Sequence, residues 1–416
     1  MKKVYYDVLK DIEGRSFPRR SIVAPNRLEI RSKDLLFALF NATSSGTLFK
    51  LRKIIQDMTG KEIVIFAPSC RAGIAFMLSL LPQQDVVMPA YTCSVVKSAA
   101  QIARKNILYV DIGKNNINAT STEFEKQASP GRILIPTHLF GIQTDIETIC
   151  ELAKERHCIT IEDAAAAFGA RLNGKMLGTY GDVGIFSFER SKRLPAFRGA
   201  AIVINNERLF DPDKLAKYSL FETKSIIPLR EIIFVILYNF ATFPWLYGHV
   251  TLPLILNKYR QLEDSAELNH LESEINSPFY KRDFHPYQAA LVLRMLKRLG
   301  KIKIKIAELV TIYDQILKDT DIITFVTKEC DAGGVLRFPI AFPGRERKDI
   351  LRNALARGLF LETNYDEPLP EKSEWDKYPN AKWAAQNVIL LPLYTRLSPA
   401  QAEYVATEIK NILFGK

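Results

Sequence analysis

Lys192 follows an apolar run by a short polar turn, in Ser187-Phe188-Glu189-Arg190-Ser191-Lys192. A lysine so placed can attack a carbonyl and form a Schiff base if it is partly desolvated or held near another cation, because both favour the neutral amine. Arg190, Arg193 and Arg198 are the cations at hand. A solvated lysine in a basic loop fits the same residues. Asp163 follows the run Cys158–Glu162 and could hold a cationic ring nitrogen, or cap a following helix. The turn Ser69-Cys70-Arg71-Ala72 puts small residues where backbone N–H groups at a helix start suit a phosphate, with Arg71 as a charged donor. An ordinary strand-to-helix turn reads the same way. His138, in Pro136-Thr137-His138-Leu139-Phe140-Gly141, could act as an acid–base group or pack as a structural histidine.

These residues need elements that bring them together. Strand-like runs at Ile63–Ala67, Asp85–Met88, Ile107–Asp111, Ile133–Pro136, Cys158–Glu162, Gly184–Phe188 and Ala201–Asn205 alternate with amphipathic helical stretches at Ala72–Leu81, Ser94–Ala103 and Asp145–Glu155. Thr144 is the expected cap of the last of these helices. A further helix is expected over residues 34–58. The alternation predicts an α/β fold with a parallel or mostly parallel sheet covered by helices. Ligands of such sheets sit beyond the carboxyl ends of strands, where the turn at Ser69, His138, Asp163 and Lys192 all fall. Residues 288–318 read as one long helix. After it come short strands (Val335–Pro339, Val388–Leu391) and helices (Arg347–Ala356, Pro399–Ile412) of a small α+β domain. The expected units are therefore 1–210, a connecting segment 211–287, and 288–416.

With 416 residues, 47% apolar and 25% charged, the chain has the composition of an ordinary globular protein. The net charge of +11 is scattered. Its one cluster, Lys297, Arg298, Lys301, Lys303 and Lys305, reads as the wet face of a helix. No zinc-finger spacing or aromatic–basic RNA motif points to nucleic acid. Five cysteines with no CxxC argue for reduced thiols in a cytoplasmic setting, with no metal site. The segment Ile232–Leu256 carries no charge beyond His249, but Pro244, Gly248 and Pro253 interrupt it. Three readings stand: a buried or subunit-interface insertion, a membrane-surface element over 226–258 with Trp245 and Tyr247 at the interface, and a span.

The blocks SCRAGIAFMLSLL, DVVMPAYTCSVVKSAA, YVDIG, PTHLFG, IEDAAAAFGARLNGK, GDVGIFSFERSKRL, YQAALVLRML and LPLYTRLSPAQ together resemble the DegT-type nucleotide-sugar aminotransferases (DegT/DnrJ/StrS), within the aspartate-aminotransferase fold group. The resemblance runs from about residue 20 to the end and implies pyridoxal 5′-phosphate as cofactor. It makes Lys192 the Schiff-base lysine, Asp163 the partner of the pyridine nitrogen, and Ser187 a phosphate ligand helped by the backbone of Cys70 and Arg71. It also implies a homodimer, with an amino-acid donor and a nucleotide sugar as substrates. The sequence departs from the family pattern in four places. Ala166 stands where a Gln or His touches the cofactor, and Cys93 where an aromatic residue stacks on its ring. The family's GEGG becomes Phe197-Arg198-Gly199-Ala200. The Asn-aromatic-Arg motif donated by a neighbouring subunit becomes Lys281-Arg282-Asp283, with Lys281 replacing the asparagine at the phosphate. Transamination is the leading expectation. A sugar dehydratase would carry a histidine in place of Lys192, and a membrane-associated scaffold would need no lysine at all.

Overall fold

The computed structural model describes residues 2–10, 23–42, 45–219, 229–260 and 284–414. Strands β1 (Ile63–Ala67), β2 (Asp85–Pro89), β3 (Asn106–Val110), β4 (Arg132–Leu134), β5 (Ile159–Asp163), β8 (Val183–Ser187) and β9 (Ala200–Ile204) form one sheet in the order β1-β9-β8-β5-β4-β2-β3. A two-stranded ribbon, β6 (Arg171–Leu172) with β7 (Lys175–Met176), lies between β5 and β8 in sequence. The large sheet is parallel except for β9, which runs antiparallel to both β1 and β8. This is the expected α/β architecture, and β9 is its one reversed strand.

The central strands of the sheet are buried on both faces because they are mostly apolar and successive side chains point to opposite sides. Ile65, Ile161, Ile185 and Ile202 pack with Ile74 and Met77 of the helix Cys70–Leu80. Their neighbours Val64, Phe186, Ala201 and Val203 pack instead with Leu51, Ile55 and the helix Pro286–Leu296. Each fully buried aliphatic side chain contributes about 1.5–3 kcal/mol. A second sheet, β10 (Ile323–Thr324), β11 (Phe338–Ala341) and β12 (Ile389–Leu391), is antiparallel and supports the C-terminal helices.

Several expected boundaries move. Residues 34–58 form two helices, Ser32–Phe40 and Ser45–Thr59. Residues 288–318 likewise form two, Pro286–Leu296 and Leu299–Leu317. At the second break Arg298 turns back to Asp34, 2.8 Å away, whose carboxylate is fully buried, and Arg294 joins the pair at 3.4 Å. The basic cluster is therefore not one wet face. Lys297 and Lys301 are exposed, but Lys303 reaches Asp331 at 2.6 Å and the Gly169 carbonyl at 2.8 Å. Thr144 does not cap the helix Ile146–Glu155; Asp145 takes that place, and the Thr144 hydroxyl donates to the Ala119 carbonyl. The N-terminal helix Lys2–Lys10 packs in the C-terminal core, where Tyr5 stacks on Phe360 and donates to the Leu361 carbonyl at 2.7 Å.

The apolar segment folds as two helical arms, Ile232–Ala241 and Pro244–Lys258, bent by 75°. No single helix among the described residues is long and apolar enough to cross a membrane. Ile232, Val235, Tyr247, Leu252 and Leu256 are buried against the two cores. Leu237, Phe240, Phe243, Trp245 and Leu254 lie exposed on the other side. Tyr247 is thus inside the molecule, as the buried reading has it and the membrane-surface reading does not, while Trp245 is outside.

Candidate active site

A cavity of ≈ 450 Å³ opens at the carboxyl ends of the parallel strands. Beyond β1 lie Ser69, Cys70 and Arg71; beyond β2, Thr92 and Cys93; beyond β4, Thr137 and His138. Asp163 ends β5, Ser187 ends β8, and the loop after β8 brings Lys192. Because β9 is reversed, its beginning rather than its end delivers Arg198 and Gly199. Residues dispersed over 130 positions of sequence thus share one wall, for the reason the strand pattern predicts.

The turn at Ser69 opens the helix Cys70–Leu80, and the Ser69 hydroxyl accepts from the Ala72 N–H at 3.1 Å. Helix starts of this kind leave N–H groups open to an anion. Arg71 is buried in the first turn and lines the cavity. Ser187 is buried, and its hydroxyl accepts from the Glu189 N–H at 3.3 Å. Lys192 is half-buried in a turn whose N–H donates to the Glu189 carbonyl at 2.9 Å. Of the three arginines expected to crowd it, only Arg198 lines the cavity. Arg190 lies over the Phe234 ring at 5.0 Å and pairs with Glu189. Arg193 is buried and donates to the Val335 carbonyl. Burial draws its guanidinium down to about 10.

Asp163 and Glu162 are adjacent on one strand and so face opposite ways. Glu162 is fully buried and satisfied: it accepts from Gly178 N–H at 2.5 Å, Tyr180 N–H at 2.8 Å, Gly181 N–H at 3.0 Å and His138 Nε2 at 2.9 Å. Burial opposes its charge, but the His138 bond and the backbone donors outweigh that and hold the carboxyl below its usual value. Among the described residues, the Asp163 carboxylate accepts one hydrogen bond, from the Ala165 N–H at 3.0 Å. Burial therefore pushes its carboxyl up, against the pull of that bond, of Lys192 and of His138. No helix follows Asp163, so it caps none. A buried carboxylate with an open side is suited to a cation that arrives with a ligand.

His138 is fully buried, and its Nδ1 accepts from the Thr144 N–H at 3.2 Å while Nε2 meets Glu162. Both ring nitrogens are engaged within the protein, so the packed-histidine alternative describes this arrangement and the acid–base role does not fit it. Cys93 sits half-buried at the start of the helix Ser94–Ile102, and Ala166 lines the cavity beside Asp163. Burial and the charge of Asp163 push the Cys70 thiol well up, leaving it protonated. Lys281 lies outside the described residues.

Other residues were not foreseen. The hydroxyls of Thr92 and Thr137 are buried with no partner among the described residues, and both residues line the cavity. Arg337, Asn364 and Tyr365 reach it from the C-terminal domain. The threonines carry a signal, since each neighbours a flagged residue. The C-terminal three carry none, because they come from over a hundred positions away.

The model of the DegT/DnrJ/EryC1/StrS aminotransferase family matches residues 44–221 and 269–410, more than half of the chain. The chain belongs to this family. GDP-perosamine synthase of Escherichia coli O157:H7 is 30% identical over 168 residues, 39% of this chain and 46% of that one. The first curated relatives are matched over about half of their length. The PLP form of a protein assigned as a sugar aminotransferase in Streptococcus pneumoniae superposes with a TM-score of 0.73 at 17% identity, over 95% of this chain and 99% of that one. PseC of Helicobacter pylori, an aminotransferase involved in the biosynthesis of pseudoaminic acid, gives 0.72 at 16%, over 95% and 100%. The fold is that of these family structures, with its mostly parallel seven-stranded sheet.

The residues present fit pyridoxal phosphate. The cavity offers an open helix start with Ser187 for a phosphate, an under-bonded buried carboxylate for a ring nitrogen, and a half-buried lysine. The two unpartnered threonine hydroxyls supply further polar groups for a bound molecule.

Proposed function

We propose that this protein is a pyridoxal-phosphate-dependent aminotransferase that moves an amino group, from glutamate, onto a keto-sugar carried by a nucleotide, in surface-polysaccharide or secondary-metabolite sugar biosynthesis. The observation that carries the reading is Asp163 and Lys192 converging on one cavity with an open helix start. Family membership supplies the reaction class, and relatives such as GDP-perosamine synthase supply the substrate class.

Asp163 holds the proton on the ring nitrogen, because the ionised carboxylate favours a cation beside it. Ser187, the N–H groups of Cys70 and Arg71, and the Arg71 side chain hold the phosphate. When bound, the cofactor supplies the electron sink for a carbanion at the carbon that bears nitrogen. The Lys192 amine takes the proton from that carbon and returns it one position away, serving as base and then acid. His138 and Glu162 position the loop beneath. Cys93 and Ala166 leave room over the ring that larger residues would fill.

We infer further that the enzyme is a cytoplasmic homodimer. The five free thiols fit a reducing compartment, and Leu36, Phe40 and Phe49 offer an exposed apolar face for a second copy. The exposed side of the bent arms is read as a membrane-surface contact. A scaffold without catalysis is the second reading, favoured by Ala166 and by those arms.

The test is a screen of keto-sugar nucleotides with glutamate, following 2-oxoglutarate. Turnover that disappears in Lys192→Ala, along with the visible absorption band of bound cofactor, is the expected result. A pure protein that takes up no pyridoxal phosphate on reconstitution sinks the enzyme reading and leaves the scaffold.

A further inference from the structure

Among the described residues that line the cavity, Phe140 and Tyr365 carry the only benzene rings. They pack on each other, with centroids 5.6 Å apart and planes at 30°. Tyr91 meets the edge of the Tyr365 ring at 5.9 Å and 87°. Both Phe140 (φ 58) and Tyr365 (φ 56) hold left-handed backbone, a conformation that disfavours bulky side chains and persists only where the surroundings over-determine it. Burial, together with the charges of Cys93, Tyr91 and Asp163, pushes the Tyr365 phenol up, so it stays neutral.

Cys93, Ala165 and Ala166, which line the same cavity as Asp163, are small. A flat cationic ring paired with Asp163 would find little to pack on among them. Tyr365 lines the cavity and is only partly buried, and two aromatic neighbours fix its plane. We propose that Tyr365 is a positioning residue that stacks on the cofactor ring and supplies the aromatic face that Cys93 does not. This rests on the pyridoxal-phosphate reading above. Tyr365 belongs to the C-terminal domain, while Asp163 and Lys192 belong to the seven-stranded sheet. The cofactor then also ties the two domains together.

The experiment titrates apoprotein with pyridoxamine 5′-phosphate, which cannot attach to Lys192, by calorimetry. Three chains are compared: wild type, Tyr365→Ala and Tyr365→Phe. Tyr365→Ala should bind about tenfold more weakly, the order of a lost ring-on-ring contact. Tyr365→Phe, which keeps the ring and drops the hydroxyl, should restore wild-type affinity. Equal affinity in wild type and Tyr365→Ala overturns the proposal, and so does failure of phenylalanine to rescue. If Tyr365→Ala fails to fold, Tyr365→Leu takes its place, and equal affinity in wild type and that variant overturns the proposal in the same way. A wild-type chain that binds neither pyridoxamine phosphate nor pyridoxal phosphate overturns the cofactor reading itself, a distinguishable outcome.

Discussion

Two neighbouring carboxylates, Glu162 and Asp163, are put to opposite uses by the alternation of a single strand. Glu162 meets four donors and is held below its usual value. Its contribution to stability is therefore complete above the unfolded carboxylate value, about 4.3, and fades as pH falls through the lower folded value. Glu162→Gln should destabilise the apoprotein by about 3 kcal/mol at neutral pH, because buried donors lose their acceptor. Urea melts at pH 7 and below pH 4 check this: the gap between variant and wild type should shrink in acid, and an unchanged gap would refute the linkage. Asp163 is the reverse case. Burial raises its carboxyl. Its ionisation thus opposes folding once pH exceeds the unfolded aspartate value of about 3.9, and the penalty is absent in acid. Asp163→Asn should accordingly stabilise the apoprotein at pH 7, by about 1 kcal/mol, while abolishing turnover. An apoprotein that melts lower than wild type would show that the carboxylate is structural. The sequence displays both acids side by side; their different fates follow from which of them the turn at 178–181 reaches.

Among the elements, the loop Thr137–Gly141 couples the two domains. The Phe140 carbonyl accepts from the Leu336 N–H at 2.7 Å, and Gly141 sits at φ 78. A Cβ on Gly141 would stand 2.5 Å from the Gly334 carbonyl oxygen and 2.9 Å from the Leu336 nitrogen. Backbone cannot yield as a side chain can. Gly141→Ala should then cost more than about 1 kcal/mol in stability and separate the domains, lowering kcat. Thermal melts with turnover assays test this, and a variant with wild-type values in both would refute it. The strands of this framework were legible because each is a short, mostly apolar run between helical stretches. The helix breaks were not. Leu293, Leu296, Leu299, Ile302 and Ile306 keep helical apolar spacing across the break, and the pair Arg298–Asp34 that sits at it is long-range. The reversal of β9 was hidden too, since an apolar pentapeptide reads alike in either direction.

At the scale of the whole molecule, sequence order is a poor guide to neighbourhood. The first helix lies in the last core, and Tyr365 enters a site built by residues 68–199. No local pattern encodes either contact. The apolar arms show the same limit: composition marks Ile232–Leu256 as special, but only the fold separates its buried face from its exposed one. That exposed face, with Phe240 at 69% and Trp245 at 62% accessibility, carries no charged side chain, and Arg190 and Lys258 flank it. On a chain of net charge +11, this composition suits an anionic bilayer surface better than a second, equally cationic copy. The wild-type protein should co-sediment with phosphatidylglycerol vesicles and release as salt rises, because screening weakens the charge contribution. Phe240→Ser with Trp245→Ser should abolish sedimentation and leave the melting temperature nearly unchanged, since both side chains are already in water. A wild-type chain that stays wholly in the supernatant defeats the membrane reading. So would a double variant that turns from dimer to monomer on gel filtration, since the face would then belong to a second copy.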